Sequence, residues 1–373
     1  MSVEAWLQAR AKVLAAPALQ AELWPLDEAA FRRRLTQLGA PAQGGWPWDP
    51  GAAEVGPAAP ALPQAPLGPG WTLAYIDSRF WPPLAAWCQS GGEALSAPFH
   101  TVDAYAWSRR PLNRFLDVRT PMTALPEVAE QLGWPAPAGI IFHMSRCGST
   151  LTSRMLGAVP DVLTLSEPRA VCDVLRYNRF DRRADQAEKA RRLRAVAAVL
   201  AGGARTYVIK TDALGILDLA TFRLAFPDTP WVFLYRDPVD VLLSQQRDRA
   251  PEMEQAQKDI GPPGAALNAD EFCAQALGQI CAAAAEGLAA DAAGRAVAYE
   301  SLPAAVTEVI APLFGLTVDR EAMAAVSGLD ARRGREAFVD DGAARRAAAG
   351  EAIKALALRW VQPAVDRLRG TLG

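Results

Sequence analysis

A loop that could hold a phosphate follows a short apolar run near the middle of the chain. Residues 145–151 read SRCGSTL, after GIIFHM and before a segment typical of a helix. Gly148 allows the backbone to bend close to an anion, while Ser149 and Thr150 supply hydroxyls and free N–H groups at the helix start. Arg146 adds a forked cation that suits an oxyanion. An ordinary capped helix is the alternative interpretation of the same residues.

Two well-known phosphate-binding patterns fit this loop poorly. A Walker loop requires G-x-x-x-x-G-K-[ST], but His143 stands at the first glycine position and Ser149 at the lysine position. A tyrosine phosphatase requires C-x5-R, and the arginine that follows Cys147 is Arg154, one residue too far. The spacing therefore argues against a phosphatase that uses Cys147, and a kinase with ATP and magnesium would need a degenerate P-loop.

A second arginine stands at the end of a later apolar run, in YRDPVDVLLSQQR. Pro238 suits the first turn of a helix, which places Ser244 nearly two turns inside it. Arg236 and Ser244 could then bind one phosphate from different elements. The alternative is an arginine paired with Asp237 or Asp240, and a surface serine.

The composition is that of an ordinary soluble globular protein, with 373 residues, 51% hydrophobic and 21% charged. The net charge of -2 provides no global basic field, so no nucleic-acid partner is expected. The five cysteines show no CxxC pair or zinc spacing, which predicts free thiols. Neither a signal-peptide profile nor a membrane span is visible, so we expect a cytoplasmic protein. The abundance of Ala, Arg and Pro suggests a bacterial source.

From about residue 137 the sequence alternates between strands and helices. Continuous apolar runs indicate a sheet buried on both faces, and helices between the strands indicate right-handed crossovers and a parallel sheet. The fold class predicted for residues 136–373 is therefore a three-layer α/β/α domain. The predicted strands are 139–144, 206–211, 231–236 and 295–300. Ligands of such sheets bind beyond the carboxyl ends of the strands.

Residues 1–135 are predicted to form a mixed N-terminal extension without internal repeats. Its role is open: it either covers the substrate pocket or forms a homodimer contact. The predicted elements are, in order, a helix over 3–14, a helix over 27–38 with Asp27 as N-cap, a Pro/Gly-rich loop over 39–70, and strands within 71–80 and 97–107.

Taken together, the two loops resemble those of the sulfotransferases that use 3′-phosphoadenosine 5′-phosphosulfate (PAPS). The family's first loop, [KR]-x-G-[ST]-T, is matched by residues 146–150, and its second, R-[DN]-P-x5-S, by residues 236–244. The resemblance covers roughly residues 138–302, including YVIKT and a YES-L element similar to the family's Y-E-x-L. It implies a P-loop NTPase-like fold.

The resemblance also implies a cofactor and its binding residues. PAPS would be the donor and adenosine 3′,5′-bisphosphate the product, with no metal required. Arg236 and Ser244 would hold the 3′-phosphate; Arg332 and Arg333, in RRG, resemble a late R-K-G element that touches the same group, although a solvated basic turn fits equally well. The 5′-phosphosulfate would be held by Arg146, Cys147, Gly148, Ser149, Thr150 and Leu151.

The implied reaction is in-line transfer of a sulfuryl group to a hydroxyl or amine, with catalysis by positioning and charge neutralisation. Arg146 and Lys210 occupy the family's cation positions. Cytosolic family members use the histidine of K-T-H as base, but here Asp212 follows the threonine. Tyrosylprotein and some carbohydrate sulfotransferases carry a glutamate past the first helix, where Glu167 stands. Glu167 is therefore the preferred base and Asp212 the second candidate.

Other interpretations stay open at this point. Glu167 could be a surface carboxylate, Asp212 a helix cap or a partner of Lys210, and His143 a packing residue. A non-catalytic protein that binds nucleotide and interacts through its first 135 residues is a further hypothesis. The acceptor, whether small molecule, carbohydrate or peptide, has no legible motif; we expect its pocket near residues 172–200, 248–268 and the N-terminal region.

Overall fold

The computed structural model describes residues 3–39, 61, 62, 64–66, 68–259, 268–328, 346 and 349–370. The loop predicted over 39–70 lies largely outside these residues. The chain divides into two compact units. The first is drawn from the chain up to Pro135 with Pro168–Arg182 and Ala195–Gly203, and the second from Ala136–Glu167, Arg183–Arg194 and the chain from Ala204 onward. The predicted division into 1–135 and 136–373 stays a prediction.

The described helices are, in chain order, α1 Val3–Leu14, α2 Pro17–Leu23, α3 Glu28–Gln37, α4 His100–Ser108, α5 Pro111–Leu116, α6 Leu125–Gln131, α7 Ser149–Gly157, α8 Arg169–Phe180, α9 Gln186–Ala201, α10 Leu219–Ala225, α11 Pro238–Arg247, α12 Pro251–Asp259, α13 Ala269–Ala290, α14 Ala311–Leu313 and α15 Arg320–Ser327. Two further helices, Glu351–Leu356 and Gln362–Gly370, are joined by the π-helical turn Ala357–Val361. The strands are β1 Trp71–Asp77, β2 Leu84–Gln89, β3 Arg119–Pro121, β4 Gly139–His143, β5 Val162–Ser166, β6 Thr206–Lys210, β7 Trp231–Tyr235 and β8 Gly294–Ala298. Within the described ranges, no helix combines the length and apolar character needed to cross a bilayer.

The first unit contains a small antiparallel sheet in the order β1-β2-β3. The predicted strand within 71–80 is confirmed as β1, and the predicted N-cap is confirmed because Asp27 accepts a hydrogen bond from the Ala30 N–H at 2.8 Å. The strand predicted within 97–107 is wrong: this segment forms α4.

The physical reason for this error is the period of burial. His100, Ala104 and Trp107 are buried at spacings of four and three, which is one face of a helix. Asp103 also accepts hydrogen bonds from the N–H groups of Ser96 and Ala97, each at 3.0 Å, and so fixes the turn before the helix. These contacts override the β propensity of the aromatic and β-branched residues.

The second unit contains a five-stranded parallel sheet flanked by helices, as the predicted three-layer α/β/α class requires. All four predicted strands are present, as β4, β6, β7 and β8, and β5 is a fifth that the sequence analysis did not identify. The strand order is β5-β6-β4-β7-β8. All five residues of β4 and all five of β7 are buried, which explains their continuous apolar runs.

This strand order creates a switch point between β4 and β7. The connection from β4 leads to β5 on one side of the sheet, while the connection from β7 leads to β8 on the other. In open parallel sheets, ligands bind in the crevice at such a point, outside the carboxyl ends of the strands. The loops after β4 and β7 are the two that carry the predicted phosphate-binding residues.

Candidate functional site

The loop after β4 turns through left-handed backbone conformations. Ser145 has a φ of 70° and Arg146 of 54°, and neither is a glycine; Gly148 has a φ of 84°. Non-glycine residues in this region cost about 1–3 kcal/mol each and persist only where the surroundings hold them. His143 Nδ1 accepts a hydrogen bond from the Ser145 N–H at 3.0 Å, and the Cys147 thiol donates to the Leu234 carbonyl oxygen at 3.1 Å. The neighbouring strands β4 and β7 therefore hold the loop.

The same loop leads into the N-terminus of α7 without a capping side chain. Gly148 is the N-cap, and a glycine has no side chain that could accept a capping hydrogen bond. A β-carbon on Gly148 would lie 2.6 Å from Leu302 Cδ1 and 3.1 Å from Tyr299 Cδ2, so this site favours glycine for space as well as for backbone conformation. The first N–H groups of α7, with the positive end of the helix dipole, suit an anion.

Arg146 is a largely buried cation in this loop, with 8% of its side chain exposed. It donates to the carbonyl oxygen of Asp248, and also to Asp248 Oδ2 at 2.9 Å. Its Nε is buried and has no hydrogen-bond partner among the residues that the structure describes. An unsatisfied buried donor is costly, and an oxyanion in the loop would satisfy it. The residues present therefore fit a phosphate or sulfate group.

A buried ion pair lies at the ends of β5 and β6. Lys210, fully buried, donates to Glu167 Oε1, and the Glu167 N–H donates to the Lys210 carbonyl oxygen at 2.7 Å. Glu167 has a φ of 48°, a third left-handed non-glycine residue at this edge of the sheet. Its side chain is 22% exposed, and it is therefore a partly buried, paired carboxylate. That Glu167 is the base stays a prediction.

His143 lies on the other side of this carboxylate. Its Nε2 is 3.5 Å from Glu167 Oε1 and 2.9 Å from the Thr211 carbonyl oxygen, to which it donates. Burial alone would raise the pKa of Glu167, but Lys210 and His143 outweigh it and hold the pKa at about 2. Lys210 and His143 thus favour the ionised form of Glu167.

Glu252 is a further candidate residue of this site, and the sequence analysis did not identify it. It lies on α12, and its Oε1 accepts a hydrogen bond from Ser145 Oγ at 2.9 Å. Burial raises the pKa of Glu252, and the charges of Glu167 and Asp212 raise it further. Glu252 falls within the predicted pocket segment 248–268, but PEME carries no motif that would have identified it.

Asp212, the second predicted base, follows β6 and the buried Thr211. It precedes the 3-10 turn Ala213–Asp218, and its side chain makes no capping hydrogen bond there. It is partly exposed and close enough to raise the pKa of Glu252. The structure therefore assembles three carboxylates beyond the ends of neighbouring strands.

The loop after β7 holds the second arginine in a fixed position. Asp240 Oδ2 accepts from Arg236 Nε at 3.1 Å and Nη2 at 3.0 Å, and from Arg346 Nη1 at 2.5 Å. The guanidinium carbon of Arg236 lies 3.9 Å from the centre of the Tyr299 ring. Asp237 caps α11, and Ser244 lies partly exposed on that helix. Arg332 and Arg333 lie outside the described residues.

The environment of Cys147 argues against thiolate chemistry. The thiol is fully buried, and burial raises its pKa to about 12. Since the thiolate is the nucleophile, such a cysteine is inert near neutral pH. This agrees with the poor fit of the phosphatase spacing.

No family model matches the sequence, and no curated protein matches it. Several solved structures are similar to this chain, among them three bacterial sulfotransferases. One, from Alicyclobacillus acidocaldarius, is 16% identical, with 63% of this chain and 95% of that chain covered and a TM-score of 0.40. A sulfotransferase domain from the Synechococcus PCC 7002 olefin synthase is 17% identical, with 64% and 95% covered and a TM-score of 0.38. A Mycobacterium tuberculosis sulfotransferase is 16% identical, with 74% and 88% covered and a TM-score of 0.39.

Proposed function

We propose that the protein is a sulfotransferase that moves a sulfuryl group from PAPS to a hydroxyl or amine. One observation carries this proposal: the strained loop after β4 leads into the N-terminus of α7, whose N-cap is a glycine, and the buried Nε of Arg146 beside it has no hydrogen-bond partner within the described part of the chain. An anion completes that arrangement. Ser149 stands where a nucleotide triphosphate site would need its lysine, which favours PAPS over ATP.

Two separate anionic groups on one ligand suit the two loops at the switch point. In the proposal, residues 146–151 hold the 5′-phosphosulfate, and Arg236 with Ser244 holds the 3′-phosphate. Arg236 is already fixed by Asp240 and Tyr299, so little side-chain entropy is lost when it binds a phosphate. When bound, PAPS supplies the sulfuryl group and the 5′-phosphate that leaves.

The chain supplies charge neutralisation and proton transfer. Arg146 and Lys210 are the proposed cations for the oxygen that gains the electron pair of the breaking S–O bond. A fixed cation in a dry site can contribute several kcal/mol to such a step. A carboxylate takes the proton of the acceptor as the new S–O or S–N bond forms. Glu167 and Asp212 are the candidates from the sequence, and Glu252 is added by its position.

The acceptor stays open between a small molecule, a carbohydrate and a peptide. Cytoplasmic location, a bacterial source and a homodimer also stay predictions. The sequence shows no motif for any of these features. The proposal that PAPS is the donor depends instead on residues in the loops after β4 and β7.

Thermal unfolding with ligands tests the proposal. Adenosine 3′,5′-bisphosphate at about a hundred times its dissociation constant should add roughly 2.7 kcal/mol to the native state, which is a shift of a few degrees. Arg236→Ala should lose the shift. Arg247→Ala changes an exposed arginine at the end of α11, the helix that follows Arg236; it is the matched control and should keep the shift.

Each other result has its own meaning. A shift with ATP and magnesium but none with the bisphosphate would replace this proposal with the degenerate P-loop kinase. Binding of the bisphosphate without any consumption of PAPS, across phenol, alcohol and amine acceptors, would favour the non-catalytic interaction protein. A shift with neither ligand would overturn nucleotide binding altogether.

A further inference from the structure

Three side chains between the end of α11 and the start of α12 form hydrogen bonds to the loop after β4. Gln245 Nε2 donates to Ser145 Oγ at 3.0 Å, Asp248 accepts from Arg146, and Glu252 Oε1 accepts from Ser145 Oγ at 2.9 Å. Gln245 is itself fixed, because its Oε1 accepts from the Ala250 N–H at 2.9 Å. Glu252 is thus placed at the loop proposed to bind the donor.

The two glutamates at this edge of the sheet have different partners. Glu167 is paired with the fully buried Lys210 and lies 3.5 Å from His143. Glu252 accepts instead from a neutral hydroxyl, and no lysine or arginine nitrogen of the described residues forms an ion pair with it. A carboxylate that already neutralises a cation is a weaker proton acceptor than one that does not.

We infer that Glu252 takes the proton from the acceptor hydroxyl or amine, and that Glu167 is a positioning residue for Lys210. This inference rests on the proposed sulfuryl transfer. The proton moves to a carboxylate oxygen of Glu252 as the acceptor atom bonds to sulfur, and the electron pair of the breaking S–O bond goes to the departing 5′-phosphate. Ser145, at the start of the loop after β4, connects Glu252 to the residues proposed to bind PAPS.

The charges around Glu252 suit this role. A general base works best when its pKa lies near the operating pH. Burial raises the pKa of Glu252, with Glu167 and Asp212 adding to the effect and His143 opposing it, whereas the pKa of Glu167 is held at about 2. On α13, which packs against α12, burial raises the pKa of the Cys273 thiol, and the charge of Glu252 adds to that effect.

The first experiment compares PAPS turnover across pH for three glutamine variants. The acceptors are 2-naphthol, a primary alcohol, a primary amine and water. Glu252→Gln should lower turnover by roughly 10²–10³-fold and lose the acid limb of the pH profile. Glu167→Gln should keep that limb and move it to lower pH, because a negative neighbour of Glu252 is removed. Glu254→Gln, an exposed glutamate on the same helix, is the matched control and should behave as the wild type.

The second experiment needs no acceptor. Binding of adenosine 3′,5′-bisphosphate is followed by calorimetry in two buffers of different ionisation enthalpy at about pH 6, above the ordinary glutamate pKa of about 4.3. The anion should raise the pKa of Glu252 and so cause proton uptake. This contribution should be absent from Glu252→Gln and present in Glu167→Gln and Glu254→Gln.

The outcomes separate this inference from the function on which it rests. If the bisphosphate binds, but Glu252→Gln keeps the wild-type proton uptake and turnover within a few-fold of wild type, Glu252 is not the base and the proposed function survives. A 10²-fold loss confined to Glu167→Gln would return the role to Glu167. Failure of the wild type to bind the bisphosphate overturns both.

Discussion

The guanidinium of Arg236 stacks on the ring of Tyr299, with 3.9 Å between the guanidinium carbon and the ring centre. The same ring faces Gly148, where an added β-carbon would lie 3.1 Å from Tyr299 Cδ2. Arg236 belongs to the loop after β7 and Gly148 to the loop after β4. One aromatic side chain therefore lies against both loops proposed to hold the donor.

We predict that Tyr299→Leu weakens binding of adenosine 3′,5′-bisphosphate several-fold. The loss of a cation–π contact costs about 0.5–2 kcal/mol. Without the ring, the Arg236 side chain also loses more conformational entropy when it binds the phosphate. Tyr299→Phe keeps the ring and should bind as the wild type does. Titration of both variants by calorimetry checks this, and equal affinities for Leu and Phe would show that the stacking does not matter.

Gly148→Ala should abolish bisphosphate binding with a modest loss of stability. The left-handed backbone disfavours any side chain, and the new β-carbon would lie 2.6 Å from Leu302 Cδ1. The strain is about 1–3 kcal/mol, and its relief distorts the loop. Gly203→Ala is the control, because Gly203 has a φ of 88° but nothing within 4 Å of an added β-carbon. It should lose stability and keep binding; loss of binding in both variants would contradict the prediction.

The Lys210–Glu167 pair should make stability depend on acid pH. The pKa of Glu167 is lowered to about 2 in the folded state, from about 4.3 for an ordinary glutamate. Its stabilisation is therefore present above the ordinary value and lost as pH falls towards about 2. Urea unfolding of Glu167→Gln should show a loss of about 3 kcal/mol in the free energy of unfolding at neutral pH, since the buried Lys210 loses this carboxylate. In acid, the variant should lose less further stability than the wild type does.

The surface pair of Glu188 and Arg192 supplies a matched control for that measurement. It spans one helical turn at 3.1 Å, with the glutamate side chain 42% exposed. Glu188→Gln should cost about 0.3–0.5 kcal/mol. Similar losses in the free energy of unfolding for Glu167→Gln and Glu188→Gln would show that burial of the Lys210–Glu167 pair does not increase its contribution to stability.

Cys147 should resist alkylation in the native protein. Burial raises the pKa of this thiol to about 12, and the buried Cys88 and Cys273 are shifted in the same direction. Cys172 is partly exposed and should react first with iodoacetamide. Mass spectrometry of the native and the unfolded protein checks the order of labelling. Rapid modification of Cys147 in the native protein, with loss of bisphosphate binding, would contradict this prediction.

Much of the second unit could be predicted from the sequence because its signals are local. Apolar runs such as WVFLY become strands because a sheet buried on both faces accepts only such residues, and the loops that follow them were identified by residue type and spacing. The strand β5 was missed because the first three residues of VLTLS are only partly buried, so it lacks the continuous apolar run of its neighbours. The segment 97–107 was assigned to a strand because its β propensity, a local signal, opposed its tertiary contacts.

The chemistry of the site depends on distances that sequence order does not contain. The sequence placed Arg146, Lys210 and Arg236 at or just beyond strand ends, which in a parallel sheet lie along one edge, and it placed Glu167 past the first helix. Tertiary structure paired Glu167 with Lys210, 43 residues away, and brought Glu252 to Ser145 across 107 residues. The affinity of a carboxylate for a proton is set by burial and by the charges near it in space. The sequence by itself therefore determined which residue types were available for the chemistry, and only the folded chain decided which carboxylate is tied to a cation and which is not.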